Sequence, residues 1–324
     1  MSKKNKGLFL IDTTANKDME KGFTLVFLFS KQFCVKPFFD ALSKMRIPLD
    51  HCHLIIYDNT DKATLGKMLH EIAEDLVDRF YTVRLWKSFR KGASIHQLTK
   101  KPIFKRTKLP FIYSAYKHIG RLVTTSHFIN IEDDTICPPH TIMRLLSHLN
   151  KYGDDIFVSA IEPDRGHNWN DTVRLGVHYI HRVENLMLQR VSLSPKCQGI
   201  KEVDATGHYC FITSKKVWKE GFKDMDEYVN EIPLFALDMF HTNNIKKKGY
   251  PLLADFRIHC FHIHPTPKKI LWWSPKRAVS KMDYYIPQFK VWAQAVPLPK
   301  EIKERPKFKK WKVPGKICPK CKDN

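Results

Sequence analysis

What this sequence lacks narrows it first. No apolar run is long enough to cross a bilayer, since the longest, Phe23 to Phe29, has only the length of a strand. The polar, basic start from Met1 to Lys6 leads into apolar residues interrupted by Asp12, Asn16, Lys17 and Asp18, so no secretory h-region forms. The expectation is a soluble, cytoplasmic protein without a transmembrane segment. Closely spaced cysteines are scarce as well. Of eight cysteines, Cys34, Cys52, Cys137, Cys197, Cys210 and Cys260 are scattered, mostly inside apolar segments, which suits reduced core thiols better than a disulfide framework. Only Cys318-Pro-Lys-Cys321 has metal-ligand spacing, and one such pair is half a zinc site. No internal repeat is evident.

Acidic residues are missing from one block and sparse in another. Arg84 to Lys108 holds nine Lys or Arg and no acid, and Pro265 to Asn324 holds sixteen against four. These blocks carry almost the whole formal charge of +22. The rest of the chain is near neutral, as in an ordinary folded enzyme, while the two segments offer positive surface to an anionic partner. With 324 residues and 43% hydrophobic content, there is enough apolar material for one large core plus an appendage.

Apolar runs alternate with amphipathic segments from Phe23 onward. Phe23 to Phe29, Leu54 to Tyr57 and Tyr81 to Leu85 read as buried strands, separated by helices over Val35 to Met45 and Leu65 to Phe80. Such alternation makes βαβ units and therefore a mainly parallel α/β sheet flanked by helices. A helix from Phe111 to Ile119 leads into a strand from Leu122 to Ile131, and helix Thr141 to Asn150 and strand Ile156 to Ala160 continue the pattern. Later elements are a strand ending near Ile212, a helix from Ser214, a helix from Leu237 closed by Gly249, and strands at Leu252 to Ala254 and Ile258 to Ile263. Residues 1–20 then form an N-terminal segment, 21–264 an α/β domain, and 265–324 a basic arm rich in Trp and Pro.

Glu132-Asp133-Asp134 stands where the fourth strand runs out. Desolvating unpaired carboxylates costs several kcal/mol each, so three of them are expected to face a cleft and meet a cation. The carboxyl end of a strand in an α/β sheet is also where such sheets bind ligands. The plain alternative is a solvated turn before the helix near Pro138, with Asp134 or Thr135 as its cap. Asp58 ends the second strand in the same way.

The order of these features resembles GT-A-fold, family-2-like glycosyltransferases, whose nucleotide-binding half ends in an Asp-x-Asp-type metal motif. Glu132-Asp133-Asp134 is similar to that motif, with Glu in its first position. The resemblance covers roughly Phe23 to His264. It implies a divalent metal, Mn2+ or Mg2+, on a nucleotide-sugar diphosphate, with Glu132 and Asp134 as metal-side carboxylates and Asp133 on the donor or in support. Downstream, Asp238 at a helix start, Gly249-Tyr250 and then His262 match the family's spacing. This implies His262 as the metal-completing histidine, with His264 as its alternate and His259 structural. Thr206-Gly207 resembles the segment that shapes the donor pocket, and Asp58 the acid that contacts base or ribose. Arg106 or Lys108 approximates the base-side contact. Asp238 is the candidate general base, its plain alternative being an N-cap.

The acceptor is read from charge. Basic residues interleaved with aromatics suit a polynucleotide, and the resemblance extends to viral enzymes that glycosylate hydroxylated DNA bases. Trp169, Trp272 and Trp273 are the candidate acceptor contacts, placed to assist base flipping. Two alternatives stay open: a transferase acting on a lipid or polysaccharide precursor at an anionic membrane surface, and a non-catalytic nucleic-acid-binding protein.

Overall fold

Seven residues from Phe23 to Phe29 form the central strand because almost every side chain on either face is apolar, and a strand buried on both faces needs a neighbour on each side and helices above and below. Its one polar residue, Thr24, bonds Oγ1 to Thr125 Oγ1 at 2.7 Å. In the computed structural model the described residues are 7–59, 63–88, 109–162, 176–184, 187–192, 197–223, 225–226, 237–265, 270–274 and 277–278.

The strands are β1 Gly7–Asp12, β2 Phe23–Phe29, β3 Cys52–Asp58, β4 Thr82–Ser88, β5 His127–Glu132, β6 Thr135–Ile136, β7 Phe157–Ile161 and β8 Val177–Glu184. They continue with β9 Met187–Ser192, β10 Ile200–Glu202, β11 Ala205–Thr206, β12 Cys210–Ser214, β13 Leu252–His259, β14 Phe261–Pro265, β15 Ile270–Ser274 and β16 Arg277–Ala278. Six helices flank them: α1 Gln32–Leu42, α2 Ala63–Leu76, α3 Leu109–Leu122, α4 Thr141–Tyr152, α5 Lys215–Phe222 and α6 Leu237–Lys247.

The main sheet has nine strands in the order β1-β4-β3-β2-β5-β12-β7-β13-β10. Strands β4, β3, β2 and β5 run parallel, β12 is antiparallel to both its neighbours, and β13 is parallel to β7. Edge strands β1 and β10 are antiparallel additions. Alternation along β2 divides the core. Leu25, Phe27 and Phe29 pack with α1, α2 and α4, whereas Val26 packs with α3, α5 and α6 around Trp218.

The mixed, mainly parallel sheet agrees with the expectation from alternating elements, and three local readings do not, one of them the strand expected over Ile258 to Ile263, which is broken at Cys260 between β13 and β14. Leu122 and Val123 are not strand: Leu122 ends α3, and β5 begins at His127. Ile119 and Val123, four apart, are buried in one core, so the apolar run there followed the helical period. The first helix spans Gln32–Leu42 rather than Val35 to Met45, with Pro37 inside it.

Strand pairing also runs past both ends of 21–264, through β1 at the front and through β15, which pairs with β14 at the back. A smaller sheet, β16-β15-β14-β6, places β14 between β6 and β15. Among the described residues no helix is long and apolar enough to cross a membrane.

Candidate active site

Four parallel strands deliver polar groups at one edge of the sheet. Strand β2 ends into Ser30 and Lys31, β3 ends in Asp58, β5 in Glu132, and Glu162 directly follows β7. This is the edge at which open α/β sheets bind ligands.

The three consecutive carboxylates part company. Glu132 is half-buried, and its Oε1 accepts a hydrogen bond from the Tyr116 hydroxyl on α3. Burial, and next the charge of Glu132, push the Tyr116 hydroxyl well above its usual pKa, so it stays a donor. Asp133 turns back to the junction of β2 and α1. Its Oδ2 accepts from the backbone N–H of Ser30 at 2.7 Å and of Lys31 at 2.8 Å, and its Oδ1 accepts from Lys31 Nζ at 2.8 Å. Those amides immediately precede α1, so the carboxylate braces the motif against the β2–α1 junction.

Asp134 is fully buried and lies between two cationic or potentially cationic groups. Its Oδ2 is 3.0 Å from Lys31 Nζ and 3.1 Å from His262 Nε2. The cation that the buried acids were expected to meet is thus supplied in part by the chain itself. Backbone pairing explains the meeting with His262, which lies opposite Thr135 of β6 on one side of β14. On its far side, His262 Nδ1 is 3.5 Å from Glu162 Oε2, and Glu162 Oε1 accepts from Thr135 Oγ1 at 2.8 Å. A carboxylate on one imidazole nitrogen sets the tautomer and aims the other nitrogen, as it does behind histidines that bind metals.

Asp238 is the second residue of α6, and its Oδ1 accepts from the Met239 N–H at 2.9 Å. Gly207 lies beside it. A Cβ at 207 would come within 2.5 Å of the Tyr209 ring and 3.2 Å of Asp238 Oδ2, so glycine is what lets the two groups close over this backbone. Asp58 is buried and pairs with Lys87 Nζ at 2.7 Å.

The structure therefore brings Asp134 and His262 together, places Glu132 on the same edge beside Tyr116, and sets Gly207 against Asp238. Trp272 and Trp273 lie on β15, with Trp273 in register with His262. Arg106, Lys108 and Trp169 lie outside the described residues. His259, expected to be structural, bonds its Nε2 to the Phe256 carbonyl. The side chain of His264 is likewise outside the described set.

Sequence reasoning missed Lys31, Glu162 and Tyr116. For the first two a usable signal existed: both follow the ends of buried strands, the same position that marked Asp58 and Glu132. Nothing in the helical pattern around Tyr116 singles it out.

No protein-family model and no curated protein matches the sequence. Among solved structures, the chain is similar to GalNAc-T7 in complex with UDP, GalNAc and Mn2+, with TM-score 0.53, 14% identity, and 89% of this chain and 54% of that one covered. A mannosyltransferase from Pyrobaculum calidifontis in complex with GDP-Man and Mn2+ aligns with TM-score 0.44 at 14% identity, over 84% of this chain and 61% of that one. A197 from STIV aligns with TM-score 0.37 at 11% identity, over 79% of this chain and 91% of that one. This chain thus spans about half the length of the GalNAc-T7 chain. That likeness shows the fold, a mixed, mainly parallel sheet flanked by helices, as the GT-A resemblance implied.

Proposed function

We propose that this protein is a metal-dependent glycosyltransferase that moves a sugar from a nucleotide-sugar donor, by preference a UDP-sugar, to a hydroxyl acceptor. The observation that carries the reading is the Asp134, His262 and Glu162 relay at the carboxyl edge of parallel strands. The likeness in fold to a structure holding UDP, GalNAc and Mn2+ supports both donor and metal.

Two of the expected ligands stand at the spacing of a divalent ion, while Glu132 does not converge with them as a third. Two ligands about 2.1 to 2.2 Å from one ion and at right angles to each other stand about 3 Å apart, and Asp134 Oδ2 and His262 Nε2 are 3.1 Å apart. Asp134 and His262 would hold Mn2+ or Mg2+ with Glu132 on the same edge, and oxygen donors with one imidazole are an ordinary set for Mn2+. Bound there, the ion would act as a Lewis acid for the charge that grows on the leaving diphosphate.

The chain's own groups do the rest. Glu162 beside His262 Nδ1 would keep the proton there when an ion takes the Nε2 lone pair in place of the Nε2 contact with Asp134. Tyr116 fixes the Glu132 carboxylate, and Asp133 anchors the motif to α1. Lys31 adds a fixed positive charge beside the acids. Asp238, left accessible by the missing side chain at Gly207, takes the proton of the attacking hydroxyl. This role for Asp238 belongs to a reaction that inverts the anomeric centre. On the donor side, Asp58 is held by Lys87 at the end of β3, and Arg106 and Lys108 belong to the basic segment that follows β4.

The favoured acceptor is a hydroxymethylated base in DNA. Charge supports this: sixteen Lys and Arg fall within residues 265–324, interleaved with Trp, Tyr and Phe. Trp169, Trp272 and Trp273 are the proposed contacts for a flipped base.

Two experiments test the reading. Incubation with Mn2+ and a panel of UDP-sugars should release UDP in a metal-dependent way, and no release with any donor overturns the enzyme. Deleting 279–324, which leaves β15 and β16 in place, should abolish salt-sensitive DNA binding. Unimpaired DNA modification by the truncated chain sinks the role of the arm.

A further inference from the structure

Directly beneath the candidate active site, three cysteines from distant parts of the chain meet. Cys137 follows β6, Cys210 opens β12 opposite Ile131 of β5, and Cys260 joins β13 to β14, its N–H bonded to the Ile161 carbonyl at 2.8 Å. All three are buried, and their sulfurs lie within 4.8 Å of one another, with Cys260 and Cys137 3.5 Å apart. Among the described residues this is the one group of three or more Cys, His, Asp or Glu whose ligand atoms converge so closely. Cys34 and Cys52 are equally buried and lie outside it, so the convergence is not simply what buried cysteines do in this core.

Sulfurs bound at about 2.3 Å to one ion stand about 3.8 to 4.0 Å apart in tetrahedral or trigonal arrangements, which falls between the 3.5 Å contact and the 4.8 Å limit of the cluster. We propose that Cys137, Cys210 and Cys260 form a buried three-sulfur site for a thiophilic d10 cation, separate in chemistry from the oxygen-rich site above it. Three soft donors select Zn2+ or Cu+ over Mn2+ and Mg2+. Of these, Zn2+ leaves the smaller buried charge: Zn2+ and three thiols give a tris-thiolate of net charge −1 and three released protons.

The placement gives the ion a role. Cys137 stands three residues after Asp134 and Cys260 two before His262, while Cys210 pairs with the residue preceding Glu132. One ion would tie the three segments that carry the upper site into a fixed spacing.

The test uses the full chain with Cys318→Ser and Cys321→Ser, which removes the other closely spaced pair. Because the cluster is buried, the protein is unfolded under reducing conditions and refolded with Zn2+, Cu+ or Co2+, then passed through a chelating resin. Elemental analysis should find one Zn2+ or Cu+ per chain, the two arms separating these cations, and the Co2+ form should show a sulfur-to-cobalt charge-transfer band. Cys210→Ala should lower the retained metal at least tenfold, and Cys34→Ala should not. Should Cys210→Ala fail to refold, the Co2+ band of the parent chain still decides. A parent chain that refolds without metal and without the band overturns the site, as does a Cys137 to Cys260 disulfide found by mass spectrometry in protein prepared under reducing conditions.

Discussion

On the side of the sheet built by β2, β3 and β4, buried carboxylates are met by ammonium groups: Lys87 on Asp58 and Lys31 on Asp133. On the side built by β7, β13 and β14 imidazoles take part, His262 between Asp134 and Glu162, and His148 on Asp255 at 2.8 Å, where the Arg257 guanidinium also holds the carboxylate at 2.9 Å. A lysine ammonium is a permanent cation near neutral pH, so its pairs are closed. An imidazole is neutral or charged according to its surroundings and offers a lone pair when neutral, so its pairs can be handed to a metal. Asp134 sits where the two kinds of partner meet, touching both Lys31 and His262 through one oxygen. The difference separates positions that brace from the position that exchanges.

The sharpest way to break this contrast is to remove the exchanging carboxylate. Asp134→Ala should lower Mn2+-dependent UDP release by about a thousandfold, the scale of losing a preorganised electrostatic contact at a reacting group. Retained activity in a folded variant would place the metal elsewhere. Next, Lys31→Met should lower the unfolding free energy without metal by roughly 3 kcal/mol, since it leaves buried acid uncompensated. In urea titrations Mn2+ should restore much of that loss. The parallel Lys87→Met should lose stability with no such recovery, and equal recovery in both variants would erase the distinction drawn here.

Glu162→Gln should weaken Mn2+ affinity by about 10- to 100-fold while leaving the fold intact, the usual cost of removing a carboxylate behind a ligating histidine. Isothermal titration with Mn2+ checks this directly. The smallest effect concerns imidazoles that do not exchange. His208 and His241 share a hydrogen bond of 2.9 Å deep in the core, and burial lowers both, His241 to about 3. Unfolded histidines take up a proton near pH 6.5 and these folded ones do not, so stability is full above about pH 6.5 and falls as pH drops below it, for His241 by roughly 1.4 kcal/mol per pH unit down to about 3, with His208 adding to the fall. Thermal melts at pH 7 and pH 5 should show the fall, and His241→Asn should make it shallower.

Much of the frame was readable because strands buried on both faces announce themselves: Phe23 to Phe29 and Leu54 to Tyr57 have no other plausible environment. Asp58, Glu132 and Asp134 were visible for a related reason, being acids at the ends of such strands. Lys31 and Glu162 occupy equivalent positions and were overlooked. Whether a charged residue just past a strand faces solvent or a partner depends on which strands become neighbours, and β5 beside β2, or β14 beside β6, is long-range information. The run Leu122 and Val123 misled because two apolar neighbours are compatible with either period. The cysteine cluster was invisible for the same reason as Glu162, since Cys137, Cys210 and Cys260 carry no local spacing signal.

Strand β14 is shared property. On one side Thr135 lies opposite His262, and on the other Trp273 does, at the point where the chain leaves for its basic arm. A strand held from both sides has a single position, so whatever steadies or displaces it at one border is felt at the other. If the site takes its ion and the arm its acceptor as proposed, the two bindings would be linked through this strand, each altering the other by the same factor.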